Sequence, residues 1–491
     1  MPVEKNKEYI VDIIDNGFQG EGIAKIEGFT IFIPNAIKGE KVKILILKVL
    51  ASHAFGKILE IIKASENRIE SDCATYKRCG GCSLRHIEYK ETLRMKQNAV
   101  QSLVNKTLKT KIEVEETLGM ETPYHYRNKS QYPIGVDKSG NPVMGVFASR
   151  THEIIPIHKC YIQNEETEKL AKFVFDFIVK NSISIYDEKK GKGLIRHIVT
   201  KIGIKTNEIM CIIVINGTKI PKEKELIKEV TKKFQNVKTI VKNINTKNTN
   251  VILGKENINL YGDGYITDRL GDFIFKISPL SFYQVNPIQA EKLYKIGVEG
   301  AGITKKDTVF DLYCGIGTIS LFMAQYAKKV YGIEIVDEAI EAAKDNAKLN
   351  HIDNTEFIAG DVEYVLDDLV NKKNIKPDIV MVDPPRKGLD NKSVENILRI
   401  RPHKLVYISC NPATLVRDLA KLEDLYDINS LKPVDMFPFT RTRGVRSSAT
   451  NETRHVILDF DMVSEIITFE EKGRFGKEKH QNSDVKVKVI A

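Results

Sequence analysis

The sequence predicts a multidomain chain: an N-terminal OB-like β-barrel, a central α+β domain and a C-terminal α/β Rossmann-like domain. Three observations predict it. With 491 residues and 42% hydrophobic side chains, the chain is long enough for about three cores of ordinary size. Short β-rich runs broken by glycines open the sequence. From Gly271 onward, apolar strand-like runs alternate with helical stretches, the pattern of βαβ units and a parallel sheet.

Residues 1–63 read as the barrel. Tyr9 to Ile14, Thr30 to Ile33, Val42 to Val49 and Gly56 to Ile61 are β-rich, and Gly17, Gly20, Gly22, Gly28 and Gly39 punctuate them. Residues 64–270 carry a cysteine cluster, a charged helical stretch from Tyr89 to Val104, and mixed strands and helices, hence the central domain. Residues 271–460 hold a helix after Asn286, the strand Thr308 to Leu312, a Gly-rich turn, a helix from Thr318, the strand Lys329 to Ile333 and a helix from Asp337. The polar, lysine-rich end, 461–491, is expected to be a disordered tail.

A net charge of +10 and a pI near 8.9 favour a polyanionic partner without identifying it. No stretch reaches the roughly 18 apolar residues that span a bilayer, so no membrane partner is expected and the chain is placed in the cytoplasm. There, seven cysteines point to metal or catalytic use rather than disulfides.

Asp311-Leu312-Tyr313-Cys314-Gly315-Ile316-Gly317 joins a buried strand to a helix, where glycines let backbone approach a ligand. Glu334 ends the next strand, placed to accept both ribose hydroxyls of an adenosine, and Asp361 follows a third strand, suited to the adenine edge. Asp383-Pro384-Pro385-Arg386-Lys387-Gly388 ends an apolar strand rigidly, since two prolines cannot extend a ladder. The following strand ends in Ser409-Cys410-Asn411-Pro412, which puts a thiol at the same sheet edge. Cys314 is read as packing. Cys73, Cys79 and Cys82 lie within ten residues, and Cys160 can supply a fourth thiolate; four thiolates suit zinc or a four-iron cluster. His158, beside Cys160, is read as an ordinary surface or core histidine. In Tyr124-His125-Tyr126-Arg127-Asn128-Lys129, rings can stack on unpaired bases while Arg127 and Lys129 hold phosphate. Arg196 is a weaker candidate of the same kind.

Ser281-Phe282-Tyr283-Gln284-Val285-Asn286, Asp311 to Gly317, Asp383 to Gly388 and Ser409 to Thr414 together resemble the RNA uracil-5-methyltransferase family. The resemblance implies S-adenosyl-L-methionine as cofactor, contacted by Gln284, Tyr313, Glu334 and Asp383, with Cys410 as nucleophile. Uracil C5 is too weakly nucleophilic for direct methylation; a thiolate adding at C6 makes an enolate whose C5 attacks the sulfonium methyl. RNA cytosine-5 methylation is the neighbouring chemistry, but the Asp-Pro-Pro-Arg-Lys-Gly wording fits the uracil family better. The barrel, with its run Gly17 to Ala24, resembles a TRAM domain, an RNA-binding module. Barrel and cysteine pattern resemble the ribosomal branch of the family, which implies a 4Fe-4S cluster on Cys73, Cys79, Cys82 and Cys160 and 23S rRNA as partner. The target is expected to be a loop or flipped uracil, because stacking hides C5 and C6, and the protein is expected to act as a monomer. The same chemistry on tRNA is the alternative substrate, and a catalytically impaired RNA-binding or folding factor the alternative of another class.

One motif departs from the family. Phe437-Pro438-Phe439-Thr440-Arg441 fits its closing motif, but Thr442-Arg443-Gly444 stands where His-Val-Glu would supply the base that removes the C5 proton. Either an insertion displaces the motif, with Glu452 as candidate base before Thr453-Arg454-His455-Val456, or the reading frame shifts after Arg441. Codons can be chosen for Thr442 to Thr450 that, read one base later, give His-Val-Glu-Cys-Val-Ala-Leu-Leu.

Overall fold

Period-two alternation builds the first layer: Ile31, Ile33, Val42, Ile44, Ile46 and Ala54 point into one core and are wholly buried. In this computed structural model, which describes residues 1–17, 20–149, 151–440 and 464–471, they lie on a six-stranded sheet. Its strands are β1 (Glu8–Asp12), β2 (Asp15–Asn16), β3 (Gly22–Ile26), β4 (Phe29–Ile33), β5 (Lys41–Val49) and β6 (His53–Lys63), in the order β1-β5-β6-β4-β3-β2. The buried Glu40 carboxylate ties the sheet to the next segment. It accepts the amides of Ile37 and Ser65 and both Nε and Nη2 of Arg68. Burial pushes its carboxyl up, but Arg68 and the amides outweigh burial and hold it below the usual range.

The central layer is a seven-stranded sheet of β7 (Lys129–Val136), β8 (Pro142–Phe147), β9 (Ile154–Pro156), β10 (Ile195–Ile202), β11 (Ile209–Ile215), β12 (Val237–Ile244) and β13 (Glu256–Tyr261), ordered β13-β12-β11-β10-β7-β8-β9. Every residue of β10 and β11 is buried, as expected of central strands covered on both faces. Helices α2 (Glu165–Lys180) and α3 (Glu223–Lys233) pack on it through Leu170, Val174, Phe177, Leu226 and Val230. The hairpin β14 (Ile266–Leu270) and β15 (Phe273–Ile277) follows.

A second seven-stranded sheet has β16 (Thr308–Leu312), β17 (Lys329–Glu334), β18 (Thr355–Ala359), β19 (Ile379–Val382), β20 (Lys404–Ser409), β21 (Tyr426–Val434) and β22 (Ser464–Glu471) in the order β18-β17-β16-β19-β20-β22-β21. It is parallel except for β22, which runs antiparallel between β20 and β21. Strand order reverses at β16, so ligand-binding loops are expected at the carboxyl ends beside it. Among the described residues the α-helices besides α2 and α3 are α1 (Tyr89–Thr107), α4 (Pro287–Ala301), α5 (Thr318–Ala324), α6 (Asp337–Leu349), α7 (Val362–Asp367), α8 (Asn391–Ile400) and α9 (Pro412–Leu422).

The three expected folds are present, but the compact units are divided differently from the linear boundaries. Among the described residues, one unit joins 1–92 with 121–291 and 437–440, and the other joins 93–120 with 292–436 and 464–471. Segment 93–120, read as central, packs instead with the second sheet. Val100, Val104 and Val114 enter that core, Lys96 pairs with buried Asp435 at 2.6 Å, and Leu118 NH donates to Pro433 O along β21. The expected tail also needs correction, because Ser464–Glu471 forms β22 and buries Ile467. Its run Ile466-Ile467-Thr468-Phe469 is β-branched and aromatic, which suits a strand; the tail beyond Glu471 lies outside the described residues.

Under the edge of this sheet, the buried Asp418 carboxylate accepts the Leu389 amide at 2.8 Å and the Tyr407 hydroxyl at 2.9 Å, and pairs with Arg417. A Cβ on Gly388 would collide with it, so glycine is required there, also for its φ of +74°. Asp418→Ala leaves two buried donors unpaired and is expected to cost about 3 kcal/mol, read as a lower urea midpoint; a midpoint unchanged from wild type would contradict this role.

Candidate active site and cysteine cavity

Where β16 ends, Tyr313, Gly315 and Gly317 all take left-handed backbone, at φ 71°, 54° and 80°. A Cβ on Gly317 would come within 3.0 Å of Phe357 and 3.1 Å of Ala343, whereas one on Gly315 would meet nothing within 4 Å. The turn is therefore packed tightly on one side and open on the other, where a ligand can approach backbone. Glu334, at the end of β17, accepts Gly315 NH through Oε2 (3.3 Å) and Val336 NH through Oε1 (3.1 Å). Tyr313 and Cys314 amides both bond Ile333 O, and the Tyr313 hydroxyl meets Ser393 Oγ at 3.2 Å. Asp361 caps α7 by accepting the Glu363 amide. Cys314 is buried, and a Cβ on Gly332 would stand 3.0 Å from its sulfur, the packing role expected.

Three carboxyls converge here. Burial pushes Asp383 up to about 7. Asp311 is also pushed up to about 7, by burial first and then by the charges of Asp383 and Glu334, against the bond from Ser320 Oγ. Such a cluster of acids favours a cation, and the sulfonium and ammonium of S-adenosyl-L-methionine are two. Asp311 was not singled out from sequence, where an acid inside an apolar strand was the available signal.

Cys410 follows β20 and is partly exposed. Its neighbour Asn411 caps α9 through Ala413 NH, while its Nδ2 and the Thr414 hydroxyl both donate to Arg386 O, at 3.1 and 3.2 Å. The loop after Asp383-Pro384-Pro385 is thereby latched to α9, which begins just after Cys410. Burial weakens the hold of Arg386 on its proton, and the negative charge of Cys410 strengthens it, so guanidinium and thiolate are electrostatic partners. Gln284 belongs to the other unit, where Asn128 Nδ2 donates to its carbonyl at 2.9 Å and Lys201 Nζ holds Ser278 O and Ser281 O. Glu452 and Thr442 to Thr450 lie outside the described residues.

Cys73, Cys79, Cys82 and Cys160 line one cavity of about 220 Å³, together with Arg85, Arg127 and Lys129. Burial and the charge of Cys160 push Cys82 up to about 12, with Arg85 and Arg127 opposing; Cys79 and Cys160 are raised mainly by burial. As the side chains stand, no three His, Cys, Asp or Glu among the described residues are arranged to hold a metal ion. His158 is exposed and absent from the lining.

Arg127 and Lys129 are thus partly buried in that lining rather than displayed on a solvated face. Arg196 is a correction: at 4% exposure its Nη1 donates to Asn245 O and Lys247 O, at 2.8 and 2.7 Å, and its guanidinium lies 4.5 Å from the Tyr186 ring centre. It is spent on the fold, because β10 is buried on both faces. Tyr126 is buried too, its hydroxyl bonding Pro438 O; Tyr124 remains exposed.

Sequence reading missed Arg85. It is buried, paired with Asp72, and its guanidinium lies 4.5, 5.0 and 5.3 Å from the rings of Phe439, Tyr161 and Tyr124. Phe439 sits in a turn closed by Thr440 NH to Phe437 O, with Pro438 preceding it and φ at 64°. This is type II turn geometry, which asks for glycine at that place; a left-handed phenylalanine costs about 1–2 kcal/mol. Arg85, the rings of Tyr89 and Tyr124, and the Ser83 and Leu84 amides, both bonded to Phe439 O at 2.9 Å, offset that cost. Phe439→Gly relieves the backbone but deletes the ring, so faster hydrogen exchange at the Thr440 amide is expected, by roughly tenfold; slower exchange would show that backbone strain dominates.

Residues 88–445 match the family described as tRNA (Uracil-5-)-methyltransferase, and residues 2–59 match the TRAM domain. An uncharacterized RNA methyltransferase of Clostridium tetani is 48% identical over 90% of this chain and 95% of its own length. One from Halalkalibacterium halodurans is 45% identical over 89% and 96%. Among solved structures, a tRNA (uracil-54, C5)-methyltransferase of Pyrococcus abyssi in complex with S-adenosyl-L-homocysteine superposes with a TM-score of 0.71, at 22% identity, over 94% of this chain and 100% of that one.

Proposed function

This chain belongs to the tRNA (uracil-5-)-methyltransferase family, and from that premise we propose that it methylates C5 of a uridine in 23S rRNA through Cys410. S-adenosyl-L-methionine supplies the methyl group. The observation that carries the reading is the placement of Cys410 and Asp383 after adjacent parallel strands, with Arg386 beside the thiol and the glycine turn and Glu334 along the same sheet edge. Arg386 favours the thiolate, which adds to C6 of the uracil. The enolate so formed takes the methyl group at C5, a base removes the C5 proton, and the C6–S bond breaks to return the thiolate. Tyr313, Glu334, Asp361 and Asp383 hold the cationic nucleoside, and Arg127 and Lys129 are left for RNA only where the cysteine cavity opens.

The preference for 23S rRNA over tRNA rests on the barrel together with four cysteines around one cavity. Those cysteines are proposed to hold a 4Fe-4S cluster rather than zinc. Four thiolates alone suit either, and it is the resemblance of the Cys73, Cys79, Cys82 and Cys160 pattern to the ribosomal branch of the family that favours the cluster. Arg85 and Arg127 would offset the thiolate charge, and the cluster would serve as a staple between the Cys73 to Cys82 loop and Cys160. Protein purified without oxygen is expected to carry about four iron atoms and four sulfides per chain, and Cys82→Ser to lose them; stoichiometric zinc with no sulfide would reverse the choice.

Glu452 is the base if the chain after Arg441 is an insertion. Without a positioned base, turnover is expected to fall by about two to four orders of magnitude. Radiolabelled S-adenosyl-L-methionine and unmethylated 23S RNA should therefore give a denaturant-resistant protein–RNA adduct that releases slowly, and Cys410→Ala should give none. Rapid multiple turnover would mean that a base is in place. Methylation of tRNA alone would reassign the substrate, and neither adduct nor methyl transfer would favour an RNA-binding factor. Codons incompatible with the shifted reading across Thr442 to Thr450 would end the frame hypothesis.

A further inference from the structure

The alternation that buries Ile31, Ile33 and Ala54 in the barrel turns their strand neighbours to the other face. Those neighbours include three rings. Phe32 pairs with Phe55 across β4 and β6, and Thr30 with His53. The ring centres of Phe32, His53 and Phe55 lie 5.2 to 5.9 Å apart, with His53 standing at 80° to both phenylalanines. Phe55 is 36% exposed. His53 Nδ1 is engaged by Ser52 Oγ at 2.9 Å, which fixes the imidazole by one edge.

Lysines surround this patch. Lys48 pairs with Phe55 in the β5–β6 register, Lys25 with Thr30 in the β3–β4 register, and Lys57 lies two residues beyond Phe55 on the same side of β6. All three are exposed. Lys43, farther along β5, is already bonded to Glu8 at 2.7 Å. Three clustered rings outside the core, rimmed by cations on a small barrel, combine a stacking surface with a backbone-tracking charge. A duplex offers phosphate but keeps its base faces stacked; an unpaired strand offers both.

We infer that Phe32, His53 and Phe55, with Lys25, Lys48 and Lys57, form a stacking site for unpaired nucleotides of the RNA substrate. This rests on the reading of the chain as an RNA methyltransferase and adds where its barrel grips and what it grips. The site is separate from the chemistry: it supplies affinity for single-stranded RNA with little choice among bases, since every base has a face to stack.

The test uses the full chain and a fluorescein-labelled, unstructured RNA of about twelve nucleotides, a length within the span of one OB-like barrel, alone and as a duplex. Wild type is expected to bind the single strand more tightly than the duplex. Replacing one ring (Phe55→Ala) should weaken that binding by about tenfold, and Phe55→Tyr, which keeps a ring, should restore it. Changing Lys25, Lys48 and Lys57 to Gln should flatten the salt dependence by about 0.7 log units per lysine that meets a phosphate. Equal binding by wild type and Phe55→Ala, or equal preference for the duplex, overturns the site. So does a Phe55→Ala change in self-association of the protein without a change in RNA affinity, which would make the face a contact between copies. Methyl transfer by wild type, measured in parallel, separates the two failures: transfer with no ring effect removes the stacking site alone, and absent transfer removes the methyltransferase reading.

Discussion

The Asp418 carboxylate, buried where α9 packs on β20, takes the Tyr407 hydroxyl from the strand and the Leu389 amide from the loop that follows Asp383. A single anion thus joins the strand that delivers Cys410 to the loop that delivers Asp383 and Arg386. Two further bonds, from Asn411 and Thr414 to Arg386 O, close the same loop from above. Prolines 384 and 385 make this cheap, because a loop with little conformational freedom loses little on being fastened. The thiol can then sit at a strand end, partly exposed, and still be held against its neighbours.

Along the same edge the electrostatics divide. Around β16 the acids Asp311, Glu334 and Asp383 crowd one another, and burial raises two of them to about 7. Beside Cys410 stands the cationic Arg386, which interacts electrostatically with it. An arrangement of this kind sets acids on one side and a cation beside the sulfur on the other, the polarity that the proposed transfer from a sulfonium to a thiolate-activated ring would use.

Much of this was legible because the signals were local. Asp383-Pro384-Pro385 and Gly315-x-Gly317 state their geometry in a few residues, period two in the barrel states burial on one face, and the continuous apolar runs of β16, β19 and β20 state burial on both. What failed had a different cause. Arg196 resembled a phosphate ligand because a basic residue among apolar ones is ambiguous until both faces of its strand are known to be covered. Segment 93–120 followed the cysteine cluster in sequence, but its apolar stripe was complementary to a core assembled from residues some two hundred positions later, as Val100 and Phe310 illustrate. Arg85 carried no signal, since its three aromatic partners come from three distant segments.

The position of β22 bears on the disrupted motif. Between β20 and β21 the sheet has room for one antiparallel strand, and without it the facing amides and carbonyls of both neighbours would go unpaired. Ile467 also fills the core against Leu405, Tyr407 and Leu431. Any continuation of the chain past Arg441 must therefore supply a strand with an apolar residue where Ile467 lies. In the sequence as written Ser464–Glu471 does so, after residues 441–463 have intervened. In the shifted frame His-Val-Glu-Cys-Val-Ala-Leu-Leu, which is more apolar and follows Arg441 at once, offers the same kind of strand with the glutamate at its start. The two readings compete for one slot, and they differ in whether the strand that completes the sheet also carries the base.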